Sequence, residues 1–162
     1  MVARKKPTKA EQKAKSQKRQ QSQLQQQAFI DLLKEAGARK VVLHLGCGKA
    51  DPEKLHSSFR GEGWFEIRVD ADSQMEPDLV ATMTDLSLIP TGSVNAVYSS
   101  HQLHKLYAHE AIKAVKEMHR VLKASGGVLL SMPDLQVAAN YVAHGRLTDP
   151  VYDSAAGPIA AL

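Results

Sequence analysis

Gly46-Cys47-Gly48, the carboxylates Asp70 and Asp85, and the pair His101 and His104 are the residues of this chain whose types and spacing suit chemistry. The apolar run Val41-Val42-Leu43-His44-Leu45 leads straight into Gly-x-Gly. β-Branched, apolar stretches of this length read as buried strands. Glycines without a Cβ let the backbone turn sharply and approach a ligand closely. Twenty-four residues after Gly46, a second strand-like run, Trp64-Phe65-Glu66-Ile67-Arg68-Val69, ends in Asp70. A glycine turn after one strand and a carboxylate at the tip of its neighbour is how an α/β fold holds a nucleoside, with the carboxylate on the ribose hydroxyls. The same Gly-x-Gly also suits an ordinary tight turn. Asp51 stands where the dinucleotide fingerprint needs its third glycine, which weighs against NAD.

Cys47 is the single cysteine. Its place inside the glycine turn favours a small turn residue over a reactive thiol. Seven histidines invite a metal reading, and His101 and His104 are spaced to share a helical face. Zinc asks for three or four convergent ligands at known spacings, and neither a second cysteine nor His-Glu-x-x-His supports it, so no metal is expected. His119 is expected to be solvated, and Trp64 and Phe65 to begin a strand and pack.

Strands are predicted at about 40–45, 64–69, 78–82, 94–99 and 128–132. Between them the pattern predicts a helix from Ala28, with Phe29, Leu32, Leu33 and Ala36 on one face and Gly37 as its stop. A short helix is predicted from Asp51-Pro52 to Ser58, with Asp as cap and Pro at the first helical position. A third spans about 108–123 with Ile112, Val115, Met118 and Leu122 at helical spacing, and a last one about 134–144. The tail 155–162 reads as irregular. Strands alternating with helices argue for a Rossmann-like, doubly wound, mostly parallel α/β sheet, in which ligands bind beyond the carboxyl ends of the strands. Gly46 to Gly48, Asp70, Asp85 and His101 all fall at that rim.

The 162 residues allow one domain with a sizeable core. The net charge of +4 conceals an asymmetry. Residues 1–28 hold eight basic residues and one acidic, leaving thirteen basic against sixteen acidic in the rest. The body therefore has no evident nucleic-acid footprint. Residues 1–27, rich in Lys and Gln, are expected to be disordered or a frayed helical arm. That arm is either a solubilising tail or a contact for RNA or another polyanion, and residues 28–162 form the domain. No run of 18 apolar residues exists, so no membrane span is expected. A lone cysteine fits a reducing, cytoplasmic setting. Organelle targeting stays open, though transit peptides are Arg- and Ser-rich rather than Lys- and Gln-rich.

Several segments together resemble the class I S-adenosylmethionine-dependent methyltransferases of the type 11 group. Leu43-His44-Leu45-Gly46-Cys47-Gly48 is similar to their glycine motif, and Asp70 to the acidic end of their second strand. Thr84-Asp85-Leu86 with Ile89-Pro90 resembles D-L-x-x-(I/L)-P. Ser93-Val94-Asn95-Ala96-Val97-Tyr98-Ser99-Ser100-His101 resembles S-F-D-x-V-x-x-x-H. Arg120-Val121-Leu122-Lys123 with Gly126 and the following strand resembles R-V-L-K-P-G-G, and Pro133-Asp134-Leu135 also fits.

The resemblance implies S-adenosylmethionine as cofactor. It places His44, Gly46, Cys47, Gly48, Asp70, Asp85, Leu86 and Ser99 around it, Asp70 on the ribose and Asp85 near the adenine. It implies a methyltransferase acting on a small molecule or lipid, with RNA possible, and His101 and His104 as candidate catalytic groups. A second reading is a catalytically degenerate binding or scaffold protein of the same fold, and a third an NAD-linked oxidoreductase.

The departures are His44, where relatives often carry Asp to hold the methionine ammonium, and His101-Gln102-Leu103-His104-Lys105, where many read H-x-L-E-H. About five strands of the usual seven are expected. The chain thus reads as stopping after the fifth strand and its helix, with that strand exposed for self-association.

Overall fold

Alternation along the strands decides which way each side chain faces, and that places the site. The computed structural model describes residues 8–146, 150–154 and 157–160. Its elements are α1 (Lys9–Ala36), β1 (Lys40–Leu45), β2 (Trp64–Asp70), β3 (Leu79–Val80), β4 (Val94–Ser100), α2 (Ala108–Val121), β5 (Leu122–Ser131), α3 (Leu135–Ala143), β6 (Pro150–Ser154) and β7 (Gly157–Ala160). The first five strands form one parallel sheet in the order β3-β2-β1-β4-β5, which is the expected Rossmann-like arrangement. The chain divides into two units, residues 1–131 with this sheet and residues 132–162 with α3 and the antiparallel β6-β7 hairpin.

In β1, Val41, Leu43 and Leu45 enter the larger core with Phe29 of α1, Ile67 and Val69 of β2, and Met118 and Val121 of α2. The intervening Val42 faces the other side of the sheet with Leu55, Ala96 and Tyr98, against Phe59 and Trp64. One face is therefore covered by helices and the other by the segment around Leu55 and Phe59.

Several boundaries differ from the sequence reading. Of the two forms expected for the arm over residues 1–27, disordered or helical, the described part from Lys9 is helical, and α1 runs unbroken from there into the packed turn at Phe29. Gln25 Oε1 accepts the Val80 N–H at 3.0 Å, so this helix also covers the hydrogen-bonding edge of the short β3. Residues 1–7, with Arg4, Lys5 and Lys6 of the arm, lie outside the described residues.

The helix expected at 52–58 is two 3₁₀ turns, Pro52–Lys54 and Ser57–Phe59, with Asp51 capping the first through Glu53 N at 2.9 Å. Leu55, buried between them, interrupts the helix because it is drawn onto the sheet. In α2 the buried stripe is Ala114, Met118 and Val121, while Ile112 and Val115 are exposed. Two apolar stripes are available on that helix, and the one at 114, 118 and 121 meets the sheet.

β5 begins at Leu122, earlier than expected, and its register against β4 shifts between Val94 and Ala96 before the regular pairs Val97–Val128 to Ser100–Ser131. It forms the outer edge of the sheet. The tail expected to be irregular contributes β7, and residues 155, 156, 161 and 162 lie outside the described residues. Among the described residues no helix is long and apolar enough to cross a membrane.

Candidate functional site

The end of β1 is fastened to β2 at four points, one of them Cys47 N donating to Val69 O at 3.3 Å. Gly46 N donates to Val69 O at 2.8 Å, Gly48 N to Asp70 Oδ2 at 2.9 Å, and Arg68 Nη2 to Gly48 O at 2.6 Å. Gly46 and Gly48 have φ of 68° and 63°, a left-handed backbone that a side chain would strain. A Cβ on Gly46 would run into Gln102 Cγ and come within 2.7 Å of its Cδ. Gln102 Nε2 in turn reaches Gly46 O at 3.4 Å.

Asp70 does two jobs in this frame. One carboxylate oxygen holds Gly48 N, and the other accepts Asp72 N at 3.0 Å. An ionised carboxylate has about four acceptor positions, so two remain for a ligand.

Two cavities meet over Gly46. The inner one, about 290 Å³, is lined by Gly46, Asp70, Met83, Thr84, Gln102 and Leu106, among others. The outer one, about 420 Å³, is lined by His44, Cys47, Gly48, Lys54, Tyr98 and Ser100 and shares Gly46 and Gln102 with the first. Gln102 is thus the common wall between them.

His44 is buried, and its Nδ1 lies 2.6 Å from Glu66 Oε1. Its ring packs on Tyr98 at 4.9 Å between centroids. Cys47 is buried too, and that burial pushes its thiol pKa up, which keeps the sulfur protonated and unreactive at neutral pH. This agrees with a turn residue.

The remaining expected residues part company. Ser99 is buried and donates its Oγ to Leu45 O at 3.0 Å, which fixes β4 to β1. Leu86 is fully buried in the main core, so it has no face for a ring. Asp85 lines two outer surface depressions and not the cavity that holds Asp70, where Thr84 and Met83 stand instead. Neither His101 nor His104 lines either cavity. Both are exposed, with rings 6.2 Å apart, and His101 takes a left-handed φ of 53° with its N–H on Ser131 O at 2.9 Å. The turn that follows β4 instead brings Gln102, Lys105 and Leu106 to the cleft. Among the described residues no group of three or more His, Cys, Asp or Glu is placed to hold a metal.

Sequence reasoning missed Glu66, Tyr98, Gln102 and Lys54. Glu66 had a faint signal, one of the charged residues that alternate with apolar ones along β2. The role of Gln102 depends on a side chain folding back over a residue 56 positions earlier, which no local pattern reveals.

The Asp85–Pro90 segment is held by α2. Arg120 bonds Glu117 (2.7 and 2.8 Å), Ile89 O (2.8 Å) and Leu86 O (2.8 Å), while Glu117 Oε2 accepts Leu86 N at 2.8 Å. The hydrogen bonds from Arg120 hold the Glu117 carboxyl below its ordinary pKa, and the same pairing raises that of Arg120. Asn95 Oδ1 accepts both Val41 N and Lys123 Nζ at 3.0 Å, tying three strands together.

Comparison with solved structures finds the same fold. The chain is 21% identical to the PH0226 protein of Pyrococcus horikoshii OT3, covering 75% of this chain and 62% of that one, with a TM-score of 0.50. It is 18% identical to a SAM-dependent methyltransferase from Archaeoglobus fulgidus, covering 81% and 63%, with a TM-score of 0.52. The chain thus spans somewhat under two thirds of the length of these structures. No curated protein matches it. A family model described as a methyltransferase domain, of type 11, matches residues 43–130, more than half of the sequence and the stretch that contains the glycine turn, Asp70 and the Arg120 clamp. On that match the chain belongs to the type 11 methyltransferase-domain family.

Proposed function

We propose that this chain carries the cofactor-binding part of an S-adenosylmethionine-dependent methyltransferase whose acceptor is a small molecule or a lipid. S-adenosylmethionine is the cofactor that the family brings. The observation that carries the reading is Asp70, which has free acceptor positions on the wall of a cavity floored by Gly46, within the matched stretch. A glycine face that a Cβ would fill gives a flat ligand close approach.

When bound, the cofactor supplies a methyl group on an electrophilic sulfonium. The protein's part is alignment of donor and acceptor. Asp70 would hold the ribose hydroxyls, and the glycine turn would lie against the ligand beside it. Gln102 must swing off Gly46 for one ligand to occupy both cavities. The apolar side chains Met83 and Leu106 suit the faces of a purine, and Thr84 offers it a hydroxyl.

A second reading, a binding or scaffold protein that keeps the pocket without turnover, is favoured by one observation. His101 and His104 stand outside the cavities, so no histidine of the turn after β4 is set to take a proton from an acceptor there. Acceptors that need no base remain open to alignment alone.

Titration calorimetry with S-adenosylmethionine, S-adenosylhomocysteine and NAD tests the cofactor. The expected outcome is binding of the first two and not the third. A screen of small-molecule, lipid and RNA acceptors with labelled methyl donor then separates enzyme from scaffold. Binding without transfer to any of them, in a chain long enough to match its structural relatives, favours the scaffold.

A further inference from the structure

We infer that residues 9–20, the solvent-exposed half of α1, form an arm that lies in the major groove of duplex DNA. This goes beyond the cofactor reading and does not depend on it.

The helix is rooted at its C-terminal end. Phe29 and Ala36 are buried in the main core, with Leu32 and Leu33 packed against it, and Gln25 and Gln21 line a depression beside Val80. From Lys9 to Gln20, by contrast, every described side chain is exposed. That stretch carries five basic residues, Glu11 as its one acid, and no apolar residue larger than alanine. As helix it extends about 18 Å, at about 1.5 Å per residue. From residue 29 on the chain holds thirteen basic against sixteen acidic residues, so the positive field is concentrated on this segment.

The placement of the charges around the axis decides the kind of polyanion. Lys9 and Lys13 stand one turn apart and form one row; Lys15 and Arg19 form a second. At 3.6 residues per turn the two rows lie roughly 120° apart. Gln12 and Ser16, exposed and hydrogen-bonding, fall in the arc between them. That arc is turned roughly 130° from the row of Phe29, Leu33 and Ala36 that roots the helix, so it is presented away from the core. Two cationic rows with polar side chains between them match a groove with a phosphate backbone on either side and base edges on its floor. The major groove of B-form DNA, about 12 Å wide, admits an α-helix. Lys and Arg would reach the phosphates, and Gln12 and Ser16 the base edges.

The same geometry disfavours the other polyanions. A helix lying on an anionic membrane carries an apolar face opposite its charges, and residues 9–20 have none. The major groove of A-form RNA is too deep and narrow for the helix to enter.

Fluorescence anisotropy of the full chain with a 20-base-pair DNA duplex reads the arm. Non-specific binding at about 10⁻⁴–10⁻⁶ M near physiological salt is expected, tightening as salt falls. Each neutralised phosphate adds about 0.9 to the slope of log affinity against log salt. Lys9→Gln with Lys13→Gln, and Lys15→Gln with Arg19→Gln, should therefore each lower that slope by about two. Gln17→Pro keeps every charge but breaks the helix that sets the rows, and should weaken binding about tenfold or more. Melting temperatures should stay near wild type in all three variants, since the changed positions are exposed. An RNA duplex of the same sequence, single-stranded DNA and phosphatidylserine vesicles, at the same salt, should each bind more weakly than the DNA duplex.

A DNA affinity that is absent, or that does not change with salt, overturns the inference. An unchanged affinity in Gln17→Pro does the same, because the charges then act as a flexible tail. RNA duplex or single strand bound as tightly as DNA duplex removes the groove, and vesicles bound as tightly make the segment a membrane contact; either result overturns it. All of these outcomes leave the cofactor reading untouched.

Discussion

Replacing Asp70 by Ala separates two roles that one carboxylate combines. In the free protein the carboxylate accepts Gly48 N at 2.9 Å and Asp72 N at 3.0 Å. Asp72 is exposed, so its N–H recovers a water, whereas the Gly48 bond is partly buried. Losing a charged acceptor from one partly buried N–H destabilises by about 1–3 kcal/mol, and the glycine turn loses one of its four ties to β2. Ligand binding loses more. Each hydrogen bond from a ribose hydroxyl to a charged oxygen contributes about 1.5–3 kcal/mol, so even one such bond is worth roughly tenfold in affinity, and two about a hundredfold or more.

The two effects separate experimentally. Thermal unfolding without ligand reads the turn. Calorimetry with adenosine and 2′,3′-dideoxyadenosine reads the ribose contact, since only adenosine has hydroxyls to lose. The wild type should prefer adenosine, and Asp70→Ala should bind the two alike, a coupling that a general loosening of the turn does not produce. A folded Asp70→Ala protein that keeps wild-type affinity for S-adenosylhomocysteine, or keeps the preference for adenosine, would falsify the ribose assignment.

Gly46→Ala should be destabilised by about 1–3 kcal/mol from its left-handed backbone and should bind no cofactor. Adding Gln102→Gly should relieve the side-chain collision and recover only part of the stability, as read by melting temperature. Arg120→Ala should cost about 2–4 kcal/mol, because the guanidinium holds two backbone carbonyls and Glu117 together. Since Glu117 titrates lower folded than unfolded, the pair's contribution is present above the ordinary carboxylate pKa and is lost as pH falls through the lowered value. Wild-type and Glu117→Gln melting temperatures should therefore converge only as pH falls below the ordinary carboxylate pKa. Native Cys47 should label slowly with a maleimide at neutral pH and quickly once unfolded, and fast native labelling would contradict its burial. Deleting residues 1–20 should leave nucleoside binding intact and, if the basic arm contacts RNA, abolish an affinity that falls steeply with salt.

The fold was legible because it rests on local signals. An apolar run before Gly46, another before Asp70 and the turn before Val94 each mark a strand without reference to anything distant. Where the reading failed, a competing contact had to be known. Leu55 breaks a helix that the Asp51-Pro52 cap would start, because the sheet buries it. Ile112 and Val115 share the helical spacing of the true core residues, and only the placement of α2 decides between the stripes. Between the two forms left open for the arm, α1 shows the helical one from Lys9 onward, through a polar sequence whose propensity is good, since Gln, Lys and Ala all favour helix.

The site divides along the same line. That Gly46, Gly48 and Asp70 meet at one rim was readable, since their placement follows from backbone shape and from position at a strand end. Ser99, Leu86 and Asp85 stand close to them in the topology, yet two are consumed by the core and the third faces outward. Proximity to the rim is thus not enough; what matters is which way the pleat turns each side chain. His44 shows the converse. As a residue type it departs from the acidic residue that the resemblance leads one to expect there, and nothing in the sequence shows what it pairs with. Glu66, two positions before Arg68, the register partner of His44 on β2, sets its carboxylate 2.6 Å from the imidazole. A diagonal contact of this kind is invisible to a motif, which reads along the chain, and shows only where the two parallel strands lie side by side.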